Sequence, residues 1–246
     1  MRLLPFLLLC CPVAAFAEGE PSISFALGLG AQSSPGYFGA DTNAVGPTGS
    51  FALGALSLGP VTLGGGDADD GFGPRGSFRI VSSRAAADFP ELAGMTDLDL
   101  AVEVGGGVQY SAPNFDVFAD LRYGVIGHES MVAEVGGDVI YRATDQLTFR
   151  AGPRLFWGSD DYAQTYFGVT SAESDVSSFA AFDARGGWLS QGVKAQATYQ
   201  ITDDWGVTGT LRYDQLRDDA ADSPITQTTD QVSASVVITR KVAFRF

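Results

Sequence analysis

The 246-residue chain carries one histidine, in Gly127-His128-Glu129-Ser130, and no other side chain has comparable chemical reach. A histidine and a serine two places apart on a strand share a face. His128 as base and Ser130 as nucleophile would therefore describe a hydrolytic pair on one face of a strand. The same four residues also make an ordinary polar turn, since a lone pair of reactive types does not establish a site. In an exposed turn, substituting either residue shifts stability by no more than about 0.5 kcal/mol. Asp67-Ala68-Asp69-Asp70-Gly71 lacks the D-x-D-x-D-G spacing and distal glutamate of a calcium loop, so a solvated loop is expected. Gly64-Gly65-Gly66 and Gly105-Gly106-Gly107 are followed by no Lys-Ser/Thr pair and open no helix, so they are expected to relax the backbone of a sheet rather than to cradle phosphate. No catalytic, cofactor-binding or metal residues and no cofactor are expected, and the protein is not expected to be an enzyme.

The elements that would position His128 and Ser130 are strands. From Asp97 to Tyr110, Leu98, Leu100, Val102, Val104, Val108 and Tyr110 share one parity, and Asp97, Asp99, Glu103, Gly105, Gly107 and Gln109 the other. Phe115 to Val125, Met131 to Arg142 and Leu147 to Trp157 alternate in the same way, with Asp116, Asp120, Arg122, Glu134, Asp138, Arg142, Arg150 and Arg154 on the polar parity. Ser22 to Gly30, Val193 to Gln200, Trp205 to Asp214 and Asp230 to Phe246 extend the pattern, adding Lys194, Arg212 and Asp214. A period of two marks a strand with one apolar and one polar face. Runs of about ten to fourteen residues exceed the five or six of soluble sheets. Tyr110, Tyr123, Tyr141, Trp157, Tyr199, Trp205, Tyr213 and Phe246 stand at strand ends on the apolar side, as interfacial girdles require.

These features predict an all-β fold: an antiparallel transmembrane β-barrel of the outer membrane, lipid-facing on one parity and charged within. Segmentation yields eleven runs. A bacterial barrel has an even number of strands, so twelve are expected, with ten as the alternative and the unrecognised run at Gln164 to Thr170 or in Thr48 to Leu63. Acids concentrate on the earlier strands and bases on the later ones, which predicts a transverse field. Ser82 to Thr96 reads as irregular, with a short helix around Phe89 to Leu92. The terminal Phe246 resembles the mark that assembly machinery reads on a closing strand.

Residues 1–17 are expected to be a secretory signal peptide: Arg2, an apolar Leu3 to Val13, then Ala15-Phe16-Ala17. Both cysteines, Cys10 and Cys11, fall inside it, so residues 18–246, the expected barrel, hold no thiol. The formal charge of −14 becomes −15 without Arg2, which argues against nucleic-acid partners, whose phosphates demand Lys and Arg. No segment after residue 17 reaches the 18 or more apolar residues of a spanning helix.

Four strings then stand out: Ser34-Pro35-Gly36-Tyr37-Phe38-Gly39-Ala40-Asp41, Trp157-Gly158-Ser159-Asp160-Asp161-Tyr162, Gln164-Thr165-Tyr166-Phe167-Gly168-Val169 and Asp218-Asp219-Ala220-Ala221-Asp222-Ser223-Pro224-Ile225. Together they resemble the signature segments of the MipA/OmpV family of MltA-interacting outer-membrane proteins. The resemblance implies an outer-membrane barrel, surrounded by lipid and lipopolysaccharide. It also implies a scaffold joining a lytic murein transglycosylase to a peptidoglycan synthase. A narrow small-solute channel is the alternative, and an outer-membrane lipid hydrolase resembling the lipid A deacylases, using His128 and Ser130, the third reading. One departure is Arg240, which falls on the apolar parity. A bulge, or a strand running past the bilayer, would spare it a midplane cost of about 2–4 kcal/mol.

Overall fold

The structure is a computed structural model that describes residues 22–58, 61–64 and 71–245. Residues 1–17, the Asp67–Asp70 run and Phe246, on which expectations were placed, lie outside the described residues.

The strands are β1 (Ser22–Pro35), β2 (Asn43–Leu58), β3 (Val61–Gly64), β4 (Gly71–Val81), β5 (Ala101–Ala112), β6 (Phe115–Ile126), β7 (Met131–Arg142), β8 (Leu147–Gly158), β9 (Gly187–Gln200), β10 (Trp205–Leu216) and β11 (Asp230–Arg245). Helices α1 (Asp160–Phe167) and α2 (Ser171–Ser174) lie between β8 and β9, and α3 (Asp218–Asp222) between β10 and β11. One antiparallel sheet runs β3-β2-β1-β11-β10-β9-β8-β7-β6-β5-β4. The last strand pairs along the first, Ser22 opposite Arg245 through Ser33 opposite Ala234, and the two free edges come together where β4 approaches β2 and β3.

Ten of the described strands are long, and β3 has four residues. The expected twelve are not found among the described residues. The segment from Gln164 is a helix because its apolar residues recur at helical spacing: Tyr162, Ala163, Tyr166 and Phe167 are the buried face of α1. The ten long strands alternate in direction, which meets the even-number requirement without a further strand.

Outward residues are apolar and bare: Val104, Val108, Val117, Leu121, Val135, Val139, Leu155, Val193, Leu211, Val236 and Ile238 are all exposed. A soluble protein does not leave such a band uncovered; a bilayer covers it. Exposed aromatics rim the band at both ends. Tyr141, Phe149, Tyr199 and Trp205 lie near the short turns, and Tyr123, Trp188 and Tyr213 near the long loops. Outer-membrane barrels keep short turns in the periplasm and long loops outside, which orients the molecule.

Arg240 pairs with Trp205 at the start of β10, its guanidinium 5.3 Å from the indole centroid. The ladders of β11 with β1 and β10 carry no bulge. The strand simply continues past the apolar band, leaving the arginine at the aromatic rim.

The long loops fold over the barrel mouth. Tyr162, Tyr166 and Phe167 of α1 and Ala220 of α3 pack with Val81, Val132, Phe156 and Leu189 of the wall. Tyr37, Leu92, Met95, Val169 and Ile225 form a second cluster within the cap. The expected helical turn is a 3-10 helix, Pro90–Leu92.

Candidate functional site in the barrel lumen

His128 sits in the hairpin between β6 and β7, and its ring folds back over β6. Gly127 has φ +91, a conformation that Gly adopts without strain, and Glu129 follows at φ +47. The imidazole lies flat over Gly124, where any Cβ would collide with the ring. The side chain is fully buried, which corrects the expectation that this polar turn is exposed.

The Ser130 backbone N–H donates to His128 Nδ1 at 3.2 Å, making that nitrogen the acceptor. Ser130 Oγ, 2.6 Å away, therefore donates to Nδ1, and Nε2–H donates to Glu103 Oε1 at 3.2 Å. The chain Ser130–His128–Glu103 has the proton polarity of a hydrolytic triad. Yet Ser130 is 3% exposed, and Tyr162 and Tyr166 pack edge-on against the imidazole at 5.0 and 5.7 Å. The hydroxyl that would attack a substrate thus has no approach for one, and the cavity under the cap is lined by neither His128 nor Ser130.

Glu103 joins this group to the lumen charges. Its oxygens accept from Arg79 Nε at 2.9 Å and Arg79 Nη2 at 2.5 Å, and from Arg122 Nε at 3.0 Å. Arg79 also donates to the Tyr162 hydroxyl at 2.9 Å and stacks 4.4 Å over Phe156. Arg122 reaches Glu134 at 3.2 Å. Glu134 takes Arg212 at 3.0 Å, and Arg212 closes on Asp214. Since β7 and β10 are not neighbours in the sheet, the Glu134–Arg212 bond crosses the lumen. Arg75 and Asp120 pair at 3.0 Å, with Arg75 over Phe118 at 4.0 Å. Two further pairs, Arg150–Asp116 and Arg154–Asp138, stand apart from this network.

The sequence placed Glu103, Asp116, Asp120, Arg122, Glu134, Asp138, Arg150, Arg154, Arg212 and Asp214 correctly inside, and Lys194, directly opposite Arg212 in the ladder, shares that face. It misplaced three. Asp97 accepts from the Ala86 N–H in the cap, Asp99 precedes β5 in an exposed position, and Arg142 bonds the Pro113 carbonyl at a turn. It missed Arg75 and Arg79, because Gly and Pro obscure β4. The signal was present in Phe72, Phe78 and Ile80 opposite Arg75, Ser77 and Arg79. With those bases on an early strand the charges are interleaved, and the expected separation of acids from bases does not occur. Among the described residues no cluster of His, Cys, Asp and Glu could hold a metal ion.

Cap residues feel the same burial. Burial pushes the Tyr162 hydroxyl up to about 12 despite Arg79 beside it, and raises that of Tyr166 further. Burial pulls the Arg84 guanidinium down. Burial also pushes Glu173 upward, but the Thr170 and Thr96 N–H groups outweigh it and hold that carboxyl at about 2.

Among solved structures, an outer membrane channel from Pseudomonas putida F1 aligns with 95% of this chain and 100% of its own, at 11% identity and a TM-score of 0.45. The NanC porin aligns with 90% of this chain and 100% of its own, at 10% identity and a TM-score of 0.39. The proteins named "MltA-interacting protein" in Escherichia coli (strain K12) and Shigella flexneri are each 34% identical over 87 residues. Those alignments span 35% of this chain and 35% of each relative, about a third of the length of either. The model of the family described as "MltA-interacting protein MipA" matches residues 27–242, from within β1 to within β11, so that wall, lumen network and cap all fall inside it, and the chain belongs to that family.

Proposed function

We propose that this outer-membrane barrel is a non-enzymatic scaffold that holds a murein-remodelling enzyme, a lytic transglycosylase, against the membrane's inner surface, with a peptidoglycan synthase as a further partner. The family match across residues 27–242 carries this reading, since the relatives' printed name states an interaction. Two features support it. A lumen crossed by ion pairs suits a rigid anchor more than a catalytic cleft. The short turns around Asn114, Asp145 and Asp203 present a compact periplasmic surface for contact. Photo-crosslinkers at those three positions in intact cells should capture a transglycosylase. Capture of no wall enzyme from a correctly inserted barrel would remove the reading.

A narrow solute channel is the second reading, favoured by the polar lumen. It expects discrete conductance steps in planar bilayers, which a scaffold does not require.

A further inference from the structure

In the central lumen network, four arginines, at positions 75, 79, 122 and 212, face four carboxylates, those of Glu103, Asp120, Glu134 and Asp214. Arg84 stands outside this balance. It follows β4 at the barrel mouth and is 5% exposed. Its Nη1 donates to the Tyr166 main-chain carbonyl at 3.1 Å, its Nε has no partner, and it forms no ion pair among the described residues. Glu173 and Asp97 act on it only from beyond ion-pair distance, and a guanidinium removed from water with no carboxylate in contact costs more than one hydrogen bond to a neutral carbonyl returns.

Arg84 lines a cavity of about 240 Å³ beneath the cap, roughly the liquid volume of eight waters at about 30 Å³ each. Arg79 and Arg212 share its wall, against the single carboxylate of Asp214. The rings of Tyr162 and Tyr166 form another side. Water would fill such a space but would bring no charge to Arg84. We propose that the cavity binds a small organic anion, a carboxylate or phosphate monoester on a body of monosaccharide size, with its charged group on Arg84 and its ring against the tyrosines. The site involves no wall enzyme, so it stands or falls separately from the scaffold.

The test is calorimetric titration of the purified full-length barrel in detergent with glucuronate, glucose 6-phosphate and neutral glucose. Saturable one-site binding of either anion, with no binding of glucose, is expected. The anion that binds identifies the charged group as carboxylate or phosphate. Arg84→Gln should weaken that binding at least tenfold, and Arg84→Lys less. Absence of saturable anion binding, equal binding of glucose, or unchanged affinity in Arg84→Gln would overturn the proposal. If Arg84→Gln does not yield a heat-modifiable barrel, Ser233→Phe decides instead. It fills the cavity from β11 with Arg84 intact, and undiminished affinity there would overturn the proposal equally.

Discussion

His128 shows how much one side chain's role depends on its burial. In water the turn histidine would be dispensable; here it bridges Ser130 and Glu103 inside a closed wall of tyrosines. His128→Ala should cost about 1–3 kcal/mol, the penalty for leaving buried hydrogen-bonding partners unsatisfied, read as a shift in the guanidinium unfolding midpoint of the reconstituted barrel. The acyl pattern of lipid A from cells overproducing wild type or this variant should be identical by mass spectrometry; loss of an acyl chain only with wild type would make Ser130 a nucleophile after all. Glu103→Gln should cost more, about 3–5 kcal/mol, because Arg79 pairs with no other carboxylate among the described residues and Arg122 and His128 share this one. Gly124→Ala tests the site from below: a methyl driven into the imidazole should destabilise by about 1–3 kcal/mol, and an unchanged midpoint would mean the ring does not sit there.

At the scale of elements, α2 is held by a reciprocal cap. Thr170 Oγ1 accepts from the Glu173 N–H at 3.2 Å, and Glu173 accepts from the N–H groups of Thr170 and, across the cap, of Thr96, both at 2.9 Å. The folded Glu173 carboxyl, at about 2, lies below its ordinary 4.5, so its ionised form is the one the fold favours. Its contribution is complete above about pH 4.5 and fades as the pH falls towards 2. Amide exchange at Thr96 and Thr170, corrected for the intrinsic pH dependence, should therefore accelerate across that window and not between pH 6 and 8. β11 offers a different check. With Arg240 at the aromatic rim beside Trp205, Arg240→Leu should change barrel stability by no more than about 1 kcal/mol. A gain of several kcal/mol would put the arginine at the midplane.

For the whole molecule, closure of β1 on β11 satisfies the backbone along that joint. Below it, arginines and carboxylates tie non-adjacent strands together: β4 to β6 through Arg75 and Asp120, and β7 to β10 through Glu134 and Arg212. Such a barrel should resist detergent until heated, so that unboiled and boiled samples migrate differently on a gel. Identical migration, with the protein in the soluble periplasmic fraction, would contradict the fold.

The sequence by itself determined which face of the regular strands meets lipid, where the aromatic rims fall and most of the charges that point inward, because a period of two is a local property that every alternating residue repeats; where Gly and Pro break the period, as in β4, Arg75 and Arg79 escaped it. It also displayed the strings now shared by the cap, Tyr37-Phe38 in the first loop and Asp160 to Phe167 in α1. Tertiary structure decided which charges meet, since Glu134 and Arg212 are 78 residues apart and no spacing along the chain encodes a contact across a lumen. It decided, too, that His128 is buried: that depends on the positive φ at Gly127, the missing Cβ of Gly124 and the tyrosines of a helix more than thirty residues further on. Arg84 stayed unnoticed for the same reason, because a cation in an irregular segment looks solvated until the cap that removes its water is in place.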